Sequence, residues 1–133
     1  MAKIRALGTT ISFNSQAIGG MSSIGDVSVN SDELDVTSLD SASGYREFLQ
    51  GFKDSGEVTL TGFHKKTDAG QVALRTGYGT GDIDATLITF PDSVTVGFNA
   101  YVKGYTIGPA EVDGAVGFSA VLRITGAVTV TVP

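Results

Sequence analysis

His64 is the chain's only imidazole, and it stands beside Lys65 and Lys66 at the end of a strand-like run. Histidine-based hydrolysis needs a nucleophile and an orienting acid converging on the ring. No Gly-x-Ser-x-Gly elbow is present to supply the first. His64 is therefore expected to be a solvent-exposed loop residue rather than a base. Gly77-Tyr78-Gly79-Thr80-Gly81 has the glycine content of a phosphate loop, but it follows a helical pattern instead of leading from a strand into one. It is expected to cap and leave that helix. Asn30, Asp32, Glu33 and Asp35 bring oxygen ligands together, yet they lack the glycine and distant glutamate of a calcium-binding EF-hand loop. With no cysteine in the chain, thiolate metal sites and disulfides are both ruled out. The expectation is no catalytic residue, no metal and no cofactor.

The elements that would position these residues are mostly strands. Eighteen glycines, three prolines and recurrent valine and threonine favour strands joined by tight turns. Residues 4–13 predict a first strand with a change of face near Gly8, where a bulge would act. Gly19-Gly20 predicts a turn or kink before a strand over 24–29, and Asn30-Ser31-Asp32 a turn into a strand over 33–36. Val58 and Leu60 alternate with Glu57, Thr59 and Thr61. Residues 67–77 predict the one regular helix, capped by Asp68 with Gln71 three residues on. Its apolar face is expected at Ala69, Val72, Ala73 and Thr76, with Gly77 and Gly79 ending it. A strand over 83–90 stops at Pro91. Beyond it, even-numbered apolar residues from Val94 to Val102 and from Val116 to Ile124 predict a long antiparallel hairpin joined by Gly108–Gly114. That parity resumes at Val128, Val130 and Val132. The fold class is mainly β, an antiparallel β-sandwich or partial barrel with one short α-helix, in a single domain spanning 1–133.

The stretch from Asp32 to Glu57 interrupts this pattern. About twenty residues rich in Ser, Asp and Gly separate two strands, and connections that long are usually functional or disordered. Tyr45, Phe48, Leu49 and Phe52 fall at spacings of three and four, which predicts a short helical turn with one apolar face and a partner surface to cover it. Charge concentrates here too. Eight acids and two bases lie between 26 and 57, a net of −6 in a chain of −5, so the remainder carries +1. A nucleic-acid binder would show a basic stripe instead. Met1-Ala2-Lys3-Ile4-Arg5 has no apolar run after it and does not resemble a signal peptide. No stretch approaches the apolar length needed to cross a bilayer, so no membrane insertion is expected.

Ile18-Gly19-Gly20 with Ser22-Ser23-Ile24-Gly25 begins a familiar series of motifs. Asp32–Leu39 comes next, and then Tyr45-Arg46-Glu47-Phe48 running into Gly51–Val58. Ile88–Pro91 after the Ala/Gln/Leu/Arg helix, and Val112-Asp113-Gly114 before the closing strand, complete it. In order and spacing this series resembles the major tail tube proteins of long, non-contractile-tailed, lambda-like bacteriophages. The resemblance implies a non-enzymatic virion protein whose hexameric rings stack into a tube, with phage DNA passing through the lumen without specific binding. Tape measure protein and tail tip or terminator proteins are the other implied partners, and assembly in the host cytoplasm is implied before the tail is complete. No appended immunoglobulin-like domain is expected.

On this reading the ring-stacking contact is expected at Leu39, Tyr45, Arg46, Phe48, Leu49, Phe52, Lys53 and Asp54. Asp32, Glu33, Asp35 and Glu57 are the acidic candidates for a lumen wall that does not grip phosphate. Thr95, Asn99, Ser119 and Thr125 are the candidates for sheet pairing between copies, because long exposed strand edges invite another chain. Two alternatives carry different chemistry. A ligand- or carbohydrate-binding β-sandwich would use Tyr101 and Tyr105, which share a parity, as a small aromatic platform. A minor tail terminator or connector protein would share much of the tube subunit's fold.

Overall fold

Phe98, Ala100 and Val102 on one strand and Phe118, Ala120, Leu122 and Ile124 on its partner are all buried, so the even parity of the long hairpin is its core face. The computed structural model describes residues 5, 7–110, 112 and 114–133. Its strands are β1 (Thr10–Phe13), β2 (Gln16–Ala17), β3 (Met21–Ile24), β4 (Asn30–Asp35), β5 (Phe48–Asp54), β6 (Glu57–Phe63), β7 (Asp84–Thr89), β8 (Thr95–Ile107) and β9 (Gly117–Thr131). One α-helix, α1 (Ala69–Thr80), lies between β6 and β7. Seven strands form one antiparallel sheet in the order β2-β1-β7-β8-β9-β6-β3, curled into a half-barrel, while β4 and β5 pair only with each other. The partial barrel is thus the form the predicted fold takes.

The helix closes the concave side. Asp68 caps it, its Oδ2 accepting from the Gln71 amide at 3.0 Å and from the Gly19 amide at 3.0 Å. The face that packs inward is not the predicted one. Gly70, Gln71, Leu74 and Gly77 are buried, whereas Ala69, Val72 and Thr76 are exposed and Ala73 is half-buried. Sequence hydropathy favoured alanine and valine, but the sheet selects glycines because the helix backbone must come close. A side chain at Gly77 would press on the Phe13 ring, and one at Gly70 would fall on the backbone of Ala17 and Ile18. Gly77 and Gly79 therefore lie inside the helix, and Gly81, at φ 74°, is the left-handed C-cap.

Gln71 is fully buried and satisfies three backbone groups. Its Oε1 accepts from the Lys65 amide at 2.8 Å, and its Nε2 donates to the carbonyls of Gly19 and Phe63 at 2.9 Å each. This one side chain ties the helix, the end of β6 and the turn before β3 together.

Local boundaries differ from expectation near the N-terminus. Regular strand begins at Thr10, after a turn at Leu7-Gly8 in which Gly8 takes φ 98°. Residues 4 and 6 of the predicted first strand lie outside the described residues. The next long-range strand is 21–24 rather than 24–29, and Asn30-Ser31-Asp32 is strand rather than turn.

Candidate assembly interface

Residues 30–54 form a hairpin arm that leaves the body at the start of β6. β4 and β5 pair antiparallel, with Leu34 opposite Leu49 and Asp35 opposite Phe48. The predicted helical turn at 45–52 is absent, since residues 48–54 are strand and only Ala42–Gly44 makes a short 3-10 turn. Strand geometry also divides the apolar set. Alternate residues point to opposite faces, and the bulge opposite Asp32 shifts the parity of β5, so Phe48 lies on one side of the arm and Leu34, Leu49 and Phe52 on the other. Both sides are open to solvent, Phe52 at 90% and Tyr45 at 75% of full exposure. Leu39, Val36, Phe48 and Leu49 are exposed as well. A soluble chain gains nothing by displaying so many large apolar side chains on one projection, unless they are covered on association.

Charged and polar contacts hold the arm's shape. Near the tip, Arg46 Nη1 donates to Asp35 Oδ2 at 3.2 Å, and Ser41 Oγ donates to Glu47 Oε2 at 3.1 Å. Bonds from the Thr37 hydroxyl and amide, and then the Arg46 guanidinium, hold the Asp35 carboxyl below its ordinary range. At the root, Asp54 accepts from the Gly56 amide at 2.9 Å and from Arg123 on β9. Its carboxyl is lowered first by that amide and then by the guanidinium. Buried Ser55 donates to the Gly126 carbonyl at 2.8 Å, and the Ile124 amide donates to the Gly56 carbonyl at 3.0 Å. The arm is thus sewn to the continuation of β9 beyond its pairing with β6.

The predicted acids divide between arm and body. Asp32, Glu33 and Asp35 are on β4, while Glu57 opens β6 and pairs with Lys103. Asp35 and Glu57 are thus matched by cations within the chain, and Asp32 and Glu33 make no ion pair among the described residues.

Thr95, Asn99, Ser119 and Thr125 have side chains on the outer face, but three of them are not at a sheet edge. Thr95 lies between Thr89 and Thr131, Asn99 between Ala85 and Thr125, and Ser119 between Thr61 and Thr106. Their backbones are paired on both sides within the chain. Thr125 is paired by β8 alone. The sequence shows the length of the hairpin but not how its neighbours are staggered along it. β7 covers β8 only as far as Ala100, and β6 covers β9 only as far as Arg123. The lengths without a neighbouring strand are Tyr101–Ile107 of β8 and Ile124–Thr131 of β9, at diagonal corners of the sheet, the second already bonded by Gly56 at Ile124 and by Ser55 at Gly126. Neither these edges nor the Arg123 anchor is marked by any local motif.

The other candidate residues fall apart. His64 is half-buried rather than exposed. Its amide donates to the Val116 carbonyl at 2.7 Å, and no acid or nucleophile hydrogen-bonds its ring among the described residues. A bulge between Val102 and Gly104 breaks the parity of the two tyrosines. Tyr105 turns to the core face and stacks on Phe118 with centroids 5.9 Å apart, so no two-tyrosine platform exists.

Comparison with solved structures finds this fold in subunits of other assemblies. A protein in the virion of a native gene transfer agent particle matches with a TM-score of 0.78 at 21% identity, over 98% of this chain and 100% of that one. The SPP1 tail tube matches at 0.70 and 20% identity, over 96% and 78%. A chain of the sheath-tube complex of an extracellular contractile injection system matches at 0.76 and 12% identity, over 97% and 91%. At these identities the likeness establishes the fold. A search of curated protein sequences finds no match. The family model described as lambda phage tail tube protein matches residues 11–131, nearly the whole chain, and on that match the chain belongs to the lambda phage tail tube protein family, as a structural subunit of a tail tube.

Proposed function

We propose that six copies close into a ring through the uncovered edges of β8 and β9, and that rings stack through the β4–β5 arm. Rotation closes a heterologous contact into a ring, while repetition of the axial contact leaves an open-ended tube. The edges support the first step, because each has a row of backbone donors and acceptors with no partner strand, on β9 beyond the bonds that Gly56 and Ser55 make to Ile124 and Gly126. Outer-face side chains such as Thr95, Asn99, Ser119 and Thr125 then lie beside the joint. The second step rests on the arm's exposed apolar residues, which is the observation that carries the reading. Burial of Phe48, Leu49 and Phe52 offers about 1.5–3 kcal/mol each before ordering costs. In this reading Leu39, Tyr45, Arg46, Lys53 and Asp54 frame the same contact.

The lumen would be walled by hydroxyl-bearing and acidic side chains, with Asp32, Asp35 and Glu57 as its acids. Phosphates held by lysines and arginines bind through counterion release. A wall of carboxylates and hydroxyls does the reverse, and DNA slides past it. Tape measure protein inside the tube and terminator proteins at its end are the further partners, and subunits assemble in the host cytoplasm before entering the virion tail. The test is a Phe48→Ser/Phe52→Ser chain. It is expected to fold, because neither ring is in the core, and to form no tubes by negative-stain microscopy. Tubes of normal length from this chain would overturn the arm's role.

A further inference from the structure

β6 connects two ends of the molecule with opposite surface chemistry. The arm joins it at Glu57, and six residues later Phe63 leads into His64, Lys65 and Lys66. At a rise of about 3.3 Å per residue, the two ends stand about 20 Å apart. The arm end carries Asp32, Glu33, Asp40 and Glu47 with no ion-pair partner among the described residues. At the opposite end, Lys65 and Lys66 are exposed and also lack an ion-pair partner there. Asp68, the carboxylate nearest them in sequence, is committed to the Gly19 and Gln71 amides. Apolar surface accompanies the lysines. Phe63 is 51% exposed, and Ile107 and Val116 lie exposed where the β8–β9 connection reaches the same end. Glu111 and Asp113 of that connection lie outside the described residues.

Of the described body cations near strand ends, Lys103 and Arg123 are already matched by Glu57 and Asp54. Arg5, Lys65, Lys66 and Arg75 make no ion pair among the described residues, and of these Lys65 and Lys66 follow the end of β6 opposite the arm. A body with an acidic, apolar projection at one end and a basic, apolar surface at the other is complementary to itself head to tail.

We propose that the arm of one copy docks on the Phe63–Lys66 surface of a copy in the next layer, with Glu33 facing Lys65 and Lys66 and Phe48, on the same side of the arm, covering Phe63. This rests on the axial role of the arm argued above and names its receptor. Opposed charges at such a contact set register and partner choice more than raw affinity.

The experiment is a charge exchange in the full-length chain, read by sedimentation and negative-stain microscopy. Lys65→Glu/Lys66→Glu is expected to remain folded by circular dichroism and to lose tubes. Adding Glu33→Lys in the same chain is expected to restore them. A second measurement does not depend on charge. Because the chain has no cysteine, Glu33→Cys/Lys66→Cys is expected to give an oxidised ladder of linked copies under assembly conditions. Tubes of normal length from the lysine reversal, or failure of the exchange and of the ladder together, would overturn the receptor. The arm itself is judged separately by Phe48→Ser/Phe52→Ser, so loss of tubes there with normal tubes from the lysine reversal leaves the arm standing and removes only its proposed seat.

Discussion

Arg123 and Asp54 are 69 residues apart in sequence, yet Nη2 of the arginine lies 3.0 Å from Oδ1 and 3.2 Å from Oδ2 of the aspartate. One partner belongs to β9 of the half-barrel and the other is the last residue of the arm. The pair is largely exposed, so it adds little to global stability. Its effect is directional, because it fixes the angle at which the arm leaves the body together with the Ser55–Gly126 bond. Arg123→Gln is expected to leave the melting temperature nearly unchanged while speeding hydrogen exchange over 30–54 and slowing tube growth. Unchanged exchange in the arm would show that Ser55 and the backbone bonds suffice.

The same carboxylate sets a limit in acid. Its folded pKa is below the ordinary 3.8, so the anchoring contribution is complete at neutral pH and is lost only as pH falls through the folded value. Asp35 and Asp40 are shifted in the same direction. Arm anchoring is therefore expected to be flat from pH 8 to about pH 5 and to weaken below pH 4. Asp54→Asn should remove part of that acid limb, measured by comparing arm protection over 30–54 in hydrogen exchange of the two chains across the pH range.

Much of the body was legible because its signals are local. Alternation in β6, β8 and β9 follows directly from one-sided burial, and the Asp68 cap needs only its own turn. The arm was misread because Tyr45, Phe48, Leu49 and Phe52 fit a helical spacing while nothing local reveals pairing with β4, up to 24 residues away at Asn30 and Asp54. The helix face was misread for a related reason. Hydropathy selects Ala69, Val72 and Ala73, but closeness of backbones selects Gly70 and Gly77, and closeness is a property of the assembled sheet. The interface residues on β8 and β9 were chosen by parity, which reports the face of a strand and says nothing about whether its edge is free.

Gln71 is expected to be the polar residue whose loss costs most. Gln71→Leu keeps the volume but leaves the Lys65 amide and the Gly19 and Phe63 carbonyls without their partner. Buried groups left unmade cost about 1–3 kcal/mol each, and partial hydration at this rim brings the expected total to about 2–4 kcal/mol. Urea denaturation measures it directly. A loss below about 1 kcal/mol would mean that water replaces the side chain.

Two glycines of the same helix should respond with opposite signs to the same substitution. At Gly79 a methyl group meets nothing within 4 Å, so Gly79→Ala is expected to stabilise the chain by about 0.5–1 kcal/mol through helix propensity. At Gly70 the methyl falls against the Ala17 carbonyl oxygen and the Ile18 Cα, both backbone and neither free to rotate away. Overpacking of this kind costs about 1–3 kcal/mol, enough to outweigh the same propensity gain. Because β2 and the turn into β3 would have to move, Gly70→Ala should also speed exchange at the Gly19 amide, which Asp68 otherwise protects. Equal responses at the two positions in parallel denaturation curves would show that the helix does not approach the 17–18 backbone as closely as the fold requires.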